Sequence, residues 1–176
     1  MVSIDKYLKK DAILLKYARS AGENETDRIK LQNSGTILVF PVENTYMMND
    51  LLTGFGRNGK EYDFSVYDRV LDRTWMDSRR VEMILMRLKY PEDLALEKAA
   101  EYRGRINEKL EEILRHLAAD RNLPVLKLLA EEGFFNAENI EGCIKTLERA
   151  GEREMMLWLM NWKNQEIGSD AFDFSL

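Results

Sequence analysis

Residues 122–133 read NLPVLKLLAEEG, and this stretch decides the fold. Its apolar residues recur three to four positions apart, which is typical of a helix with one buried face. Gly133 is the kind of residue that commonly ends a helix. The stretch therefore predicts a short helix over residues 122–132. Segments with the same spacing lie on both sides, over residues 93–119 and 152–163, and predict further helices.

The same periodicity predicts helices along most of the remaining chain. The predicted segments are residues 3–20 closed by Gly22, residues 24–32, residues 46–54, residues 65–74, residues 77–90 and a helix capped by Asn136. Ser65 and Asp68 resemble a capping box at the start of one segment. Gly104 is expected to mark a break or kink within residues 93–119.

Residues 36–43, TILVFPVE, fit two local structures. The β-branched Ile37 and Val39 favour a strand, but Pro41 argues against a central strand because it has no N–H to donate. Pro41 would be tolerated in the first turn or two of a short helix. Local reasoning leaves both alternatives open.

Pairs of apolar residues recur along the chain at intervals that indicate a helical repeat. The pair Leu51–Leu52 recurs 33 residues later as Ile84–Leu85, and Leu128–Leu129 recurs 30 residues later at Trp158–Leu159. The interval between the second and third pairs is longer, which indicates an insertion near residues 91–105.

The segment TILVFPVEN, residues 36–44, followed by Leu51–Leu52 and Gly54, resembles one degenerate ankyrin repeat. Three positions depart from the family pattern of Pro, His and Ala: Ile37, Val39 and Pro41. Residues 126–163 are similar to bacterial ankyrin-like proteins. The resemblance covers roughly residues 36–165.

This resemblance implies an all-α fold of stacked antiparallel helix pairs, a short ankyrin-like α-solenoid, in which residues 36–43 form the inner helix of a repeat. One helix pair cannot bury its apolar stripe alone, whereas stacked neighbours can. We predict one domain over residues 1–165 and a flexible C-terminal tail over residues 166–176. The approximate units of the domain are residues 1–34, 35–63, 64–91, 92–134 and 135–165.

Composition and charge restrict the class of protein. The chain has 176 residues, 45% of them apolar, which suffices for a core without a disulfide or a metal. Its net charge of −5 argues against binding to nucleic acid or to anionic membranes. Residues 68–89, which include Arg87, interleave basic and acidic side chains and predict a mixed charged surface. Cys143 is the single cysteine, and neither a signal peptide nor a membrane-spanning run is evident, so we expect a soluble, cytoplasmic protein.

No motif in the sequence identifies an active site. His116 lies on a charged helical stretch, and Cys143 has no neighbouring base, so we interpret them as an exposed histidine and a buried filler. Residues 54–59, GFGRNG, fit a phosphate loop only formally, because no βαβ unit surrounds them. Glutamates in helical runs, such as residues 108–112, are interpreted as solvated faces. We therefore predict no catalytic residue, no cofactor and no metal ligand.

The predicted function is a non-enzymatic protein–protein interaction scaffold, because stacked helix pairs present a concave face to partners. Candidate partner-binding residues lie on the turn and inner helix of the second repeat: Tyr62, Tyr67, Arg69, Arg73 and Trp75. A homo-oligomer could form through Met155, Trp158 and Trp162 of the last helix. The alternatives are an enzyme or small-molecule binder with a carboxylate and arginine pocket, and a helical DNA-binding regulator.

Overall fold

The computed structural model describes residues 28–31, 35–40, 45–56, 62–72 and 78–168. These residues form eight helices and one antiparallel sheet of two strands, so the fold belongs to the mainly α-helical class that the periodicity predicts. The elements are β1 (Arg28–Lys30), β2 (Ile37–Val39), α1 (Thr45–Leu52), α2 (Phe64–Asp72), α3 (Ser78–Lys89), α4 (Leu96–Glu108), α5 (Leu110–Ala119), α6 (Leu123–Glu131), α7 (Ile140–Arg149) and α8 (Arg153–Glu166). The chain divides into two compact units: Met1–Trp75 with Met86–Ala99, the first unit, and Met76–Leu85 with Ala100–Leu176, the second unit.

Several predictions concern residues outside the described ranges. These are the helix over residues 3–20 with its cap at Gly22, the tail beyond residue 168, and the candidate residues Arg73 and Trp75. Among the helices that are described, none combines the length and apolar character needed to cross a membrane.

The first described elements of the first unit are two strands, where the sequence predicted helices. The strand Ile37–Val39 replaces the inner helix predicted for residues 36–43, and the strand Arg28–Lys30 lies within the predicted helix 24–32. The two strands pair antiparallel. The β-branched residues favour this extended backbone, and a two-stranded sheet has no central strand, so Pro41 does not oppose a strand that ends before it.

Aromatic rings form the core of the first unit. Phe40 is fully buried, and its ring centroid lies 6.2 Å from those of Tyr62 and Tyr67. The Tyr62 hydroxyl donates to the Leu51 carbonyl oxygen at 2.9 Å. The Tyr67 hydroxyl donates to the Val39 carbonyl oxygen at 2.7 Å. Both tyrosines therefore bury their rings and keep their hydroxyls paired with the backbone.

The first turn of α2 is capped by Asp63 and not by the predicted box of Ser65 and Asp68. The Asp63 carboxylate accepts hydrogen bonds from the Ser65 N–H at 3.0 Å and from the Ser65 hydroxyl at 2.6 Å. These bonds hold the pKa of the Asp63 carboxyl below its usual value. Asp68 instead binds Arg87 through both carboxylate oxygens, at 3.1 and 3.2 Å.

Helix α3 is buried on all sides over residues 81–88. The mixed charged surface predicted for this part of the chain is therefore wrong for Arg87, whose side chain has no solvent exposure. Its guanidinium contacts the Asp68 carboxylate, donates to the Tyr90 carbonyl oxygen at 3.2 Å and lies 4.6 Å from the Phe64 ring centroid. A buried arginine needs this many partners because desolvation of its charge is costly.

In the second unit, the long helical segment predicted over residues 93–119 is divided into α4 and α5. The break lies at Lys109, whose N–H donates to the Ile106 carbonyl oxygen at 3.2 Å, and not at Gly104. Gly104 lies inside α4, and a Cβ built there would meet no atom within 4 Å.

The second unit continues with two helical hairpins, α5 with α6 and α7 with α8, and α5 also packs against α7. The two hairpin turns share one backbone geometry, with a φ of 51° at Arg121 and 75° at Gly151, thirty residues later. In each turn the next N–H donates to the carbonyl oxygen five residues back: Asn122 to Leu117 at 2.8 Å, and Glu152 to Leu147 at 3.2 Å. This is the usual way in which a left-handed residue ends a helix.

Buried apolar positions of the two hairpins recur at the same interval. The matched buried pairs are Leu110 with Ile140, Ile113 with Cys143, Leu117 with Leu147, Val125 with Met155, and Leu129 with Leu159. Each fully buried leucine or isoleucine stabilises the fold by about 2 kcal/mol relative to an exposed one. The two helical hairpins therefore bury equivalent apolar faces.

Candidate functional site

Two of the predicted partner-binding residues are not on the surface. Tyr67 has no exposure and Tyr62 is only 9% exposed, so both belong to the aromatic core. Burial raises the pKa of the Tyr62 hydroxyl, and the nearby Asp63 carboxylate raises it further. Of the predicted set, Arg69 is exposed and lies on α2. The sequence predicted these tyrosines on a binding face, because a single sequence does not distinguish a buried aromatic side chain from an exposed one.

The residues predicted to mediate a homo-oligomer contact their own chain. Met155 is 1% exposed and belongs to the core of the second unit. The Lys127 amino group lies 5.8 Å from the Trp158 ring centroid, and the Trp162 ring meets the edge of Phe135 at 5.8 Å. The exposed apolar side chains of α8 are Leu157 and Met160.

The residues considered for chemistry have no catalytic arrangement among the residues that the structure describes. His116 lies 3.8 Å from Glu112 on the same helix face and is half exposed. Burial, with a contribution from the Glu111 carboxylate, raises the pKa of the Cys143 thiol to about 11, which disfavours the reactive thiolate. Gly54 allows close packing, because a Cβ there would lie 2.7 Å from the Tyr62 ring. Within the described ranges, no group of three His, Cys, Asp or Glu side chains could hold a metal ion.

The first unit contains an acidic cleft of about 390 Å³ beside α2. Its charged lining comprises Asp63, Asp68, Arg69, Asp72, Asp93 and Lys98. Several of these carboxylates are already engaged by groups of the chain itself. Lys98 binds Asp72 at 2.5 Å, Arg87 binds Asp68, and Asp63 caps α2. The cleft therefore combines opposite charges that largely neutralise one another.

The second unit contains a larger groove of about 530 Å³, which we call the α5–α7 groove. The buried residues of its lining, Leu110, Leu114, Cys143 and Thr146, form the floor, and the exposed Gly142 lies beside them. Its rim consists of Asn107, Glu108 and Glu111 on one side and Asn136, Glu138 and Asn139 on the other. The groove thus joins a small, mainly apolar floor to a rim of amides and carboxylates.

The rim before α7 is held by reciprocal hydrogen bonds between two asparagines. The Asn136 side-chain oxygen accepts from the Asn139 N–H at 3.1 Å, and the Asn139 side-chain oxygen accepts from the Asn136 N–H at 2.9 Å. The Asn139 amide also donates to the Phe134 carbonyl oxygen at 2.9 Å. The Asn136 side chain thus caps the turn that leads into α7, whereas α7 itself begins at Ile140 after Asn139, so the predicted cap lies before the helix. The hydrogen bonds fix the backbone of this rim next to the groove.

Gly142 leaves the floor of the α5–α7 groove open. It lies inside α7, and a Cβ built there would meet no atom within 4 Å. Its carbonyl oxygen accepts a hydrogen bond from the Thr146 hydroxyl at 3.0 Å. A glycine inside a helix costs about 1 kcal/mol relative to alanine. No packing contact of the described residues accounts for that cost.

Comparisons of this chain with protein-family models, with curated proteins and with solved structures found no match. The groove therefore has to be interpreted from its own geometry. The sequence does not indicate this groove, because the glutamates of residues 108–112 fit a single solvated helix face. The available signal was Gly142, a helix-weakening residue inside a strongly periodic helix.

Proposed function

We propose that this protein is a non-enzymatic scaffold that binds a segment of another protein in the α5–α7 groove. The observation that carries the proposal is the open floor at Gly142, where the helix gives up stability and nothing in the described chain fills the space. The groove has a volume of about 530 Å³.

The proposal includes the architecture that surrounds the groove. We infer that the two hairpins of the second unit are successive members of a short ankyrin-like α-solenoid, with α5 and α7 as its inner helices. The turn geometry that repeats at Arg121 and Gly151 supports this inference, as do the buried pairs thirty residues apart. In such a stack, inner helices and connecting loops line the concave binding surface.

The alternative of an enzyme or small-molecule binder would use the acidic cleft of the first unit. Its carboxylates face Arg87, Lys98 and the Ser65 hydroxyl. Groups engaged in this way serve structure, and the lowered pKa of Asp63 takes it further from the neutral range where a general base works best. These observations favour the scaffold.

The proposal is tested by filling the groove. The variant Gly142→Trp places a large side chain over the floor, and Gly104→Trp places the same side chain on α4, where a Cβ also meets no atom. Tagged versions of both variants and of the natural chain are captured from the cells that produce the protein, after circular dichroism has shown equal helicity. We expect a stoichiometric partner that is lost with Gly142→Trp and kept with Gly104→Trp. Equal recovery of every partner by both variants would contradict the proposal.

A further inference from the structure

We propose that two copies of this chain associate through the outer face of the last helical hairpin. We call this surface the α7–α8 end face and define it by Ile144, Met156 and Met160. Each copy presents the same face, so that the apolar side chains of one copy cover those of the other. The inference goes beyond the proposed scaffold function and rests on the thirty-residue repeat of the two hairpins in the second unit.

Equivalent positions of the two hairpins differ in their exposure. The equivalent pairs, thirty residues apart, are Leu114 with Ile144, Leu126 with Met156, and Ala130 with Met160. The three residues of the first hairpin are buried. In the second hairpin, Met160 is 41% exposed, and Ile144 and Met156 are partly exposed. The physical reason is that the first hairpin is followed by α7, which packs against α5, whereas no described helix follows α8.

The two methionines lie on the side of α8 that faces away from the first hairpin. The Trp158 ring centroid lies 5.8 Å from the amino group of Lys127 on α6, so Trp158 marks the side of α8 that faces this hairpin. Met156 and Met160 are each two positions from Trp158, which corresponds to about 200° around a helix. The end face is therefore the surface on which a further hairpin of the same repeat would pack.

An apolar end face is unusual for the last repeat of a helical stack. Such a repeat normally has a polar outer face, which keeps the stack soluble. Here three apolar side chains occupy positions that the preceding hairpin buries. Methionine is flexible and adapts its shape to an apolar partner. The face thus has the character of an interface.

A second copy fits this face in shape and in charge. The face is equivalent to the one on which the first hairpin receives the second, so its complement is a pair of helices with the same spacing. A second copy presents such a pair, and two identical faces meet around a twofold axis. Glu148, Arg153 and Met156 line a cleft of about 360 Å³ at the turn between α7 and α8, so the charges beside the apolar residues are of both signs. Identical faces of this kind bring carboxylate towards guanidinium, whereas faces of one sign repel.

The experiment measures the self-association of the full chain. Sedimentation velocity at concentrations from micromolar to millimolar gives the dissociation constant of the dimer. The test variant is Met160→Glu, which places a charge on the end face. The control is Leu96→Glu, which makes the same change at a side chain of α4 that is 84% exposed. Circular dichroism checks that both variants keep the helicity of the natural chain.

We expect the natural chain to form a dimer. Met160→Glu should weaken the dimer at least about tenfold, because an unpaired carboxylate loses its hydration in an apolar interface, and Leu96→Glu should change it by less than about twofold. A second measurement uses the natural chain alone. Copies labelled at the methionine methyl groups are mixed with unlabelled copies, and the methyl groups of Met156 and Met160 should show nuclear Overhauser effects to protons of the unlabelled copy.

Three results would overturn the proposal. The first is a chain that stays monomeric at every concentration, and the second is a dimer that Met160→Glu and Leu96→Glu weaken equally. The third is a monomer in which the methionine methyl groups contact residues 169–176 of the same chain, which would assign the face to that segment. The scaffold proposal stands in each case, because Gly142→Trp tests the α5–α7 groove separately.

Discussion

Arg87 is held in the interior of the first unit by a bidentate ion pair with Asp68, which lies 19 positions earlier in the chain. The guanidinium also packs on the Phe64 ring. Removal of one partner of such a pair leaves an uncompensated buried charge, which costs more than the pair itself contributes. The stability of the first unit therefore depends on a contact between α2 and α3.

We predict that Asp68→Asn lowers the free energy of unfolding by about 3 kcal/mol, because Arg87 stays buried without its counter-charge. Urea denaturation followed by circular dichroism measures the loss. Asp50→Asn is the matched control, since Asp50 is exposed on α1. The double variant Asp68→Asn with Arg87→Met should regain part of the loss. Equal stability of the Asp68 and Asp50 variants would show that the ion pair is not needed.

A second prediction at the residue scale concerns Gly142. Gly142→Ala should raise the free energy of unfolding by about 1 kcal/mol, because alanine favours the helix and its Cβ enters open space. Gly54→Ala should act in the opposite direction, because its Cβ would lie 2.7 Å from the Tyr62 ring. Thermal unfolding distinguishes the two. A destabilising Gly142→Ala would mean that the glycine has a structural role inside the chain.

At the scale of elements, the two hairpin turns of the second unit form a natural comparison. The residue in the left-handed conformation is an arginine in the first turn, Arg121, and a glycine in the second turn, Gly151. The left-handed conformation costs a residue with a Cβ roughly 1–2 kcal/mol of conformational free energy, whereas glycine adopts it without this cost. Arg121 also lies 3.7 Å from Glu152, but its side chain is 84% exposed, so that ion pair contributes little.

We predict that Arg121→Gly stabilises the protein by up to about 1 kcal/mol and that Gly151→Ala destabilises it by a similar amount. Both changes are measured by chemical denaturation at neutral pH. Arg149→Ala, a change at the end of α7 beside the equivalent turn at Gly151, controls for the loss of a basic side chain. If Arg121→Gly instead destabilised the protein, the contact with Glu152 would outweigh the backbone strain.

At the scale of the whole molecule, the second unit includes a segment that precedes it in sequence. Met76–Leu85 belongs to this unit, and Val81 and Leu85 have no exposure. The Ser78 hydroxyl also donates to the Asp120 carboxylate at the end of α5. A cut at residue 100 therefore removes part of the core of the unit.

We predict that a fragment of residues 100–176 has lower helicity and a lower melting temperature than a fragment of residues 76–176. The physical reason is the apolar surface of the second unit that α3 no longer covers. Far-ultraviolet circular dichroism of both purified fragments measures the difference. Identical helicity per residue and identical melting would show that the unit folds without α3.

The candidate site was predictable only in part. The end of α6 at Gly133 follows from a local pattern, and the structure confirms it. The predicted cap at Asn136 holds the turn before α7, while Asn139 is the residue that precedes the helix. The groove itself was not predicted, because a single sequence does not show which carboxylates lie opposite α7 in the folded protein. The tyrosine residues predicted to bind a partner were assigned to the surface because aromatic residues suit cores and interfaces equally well.

The sequence by itself determined that most of the described part of the chain is helical and where α5 and α6 end. Helical periodicity and helix caps act over a few residues, so they are visible without knowledge of the fold. Tertiary structure decided the strand Ile37–Val39, the burial of Arg87 and the open floor at Gly142. Each of these depends on groups distant in sequence: a strand needs a partner strand, a buried charge needs a counter-charge, and a groove needs two walls.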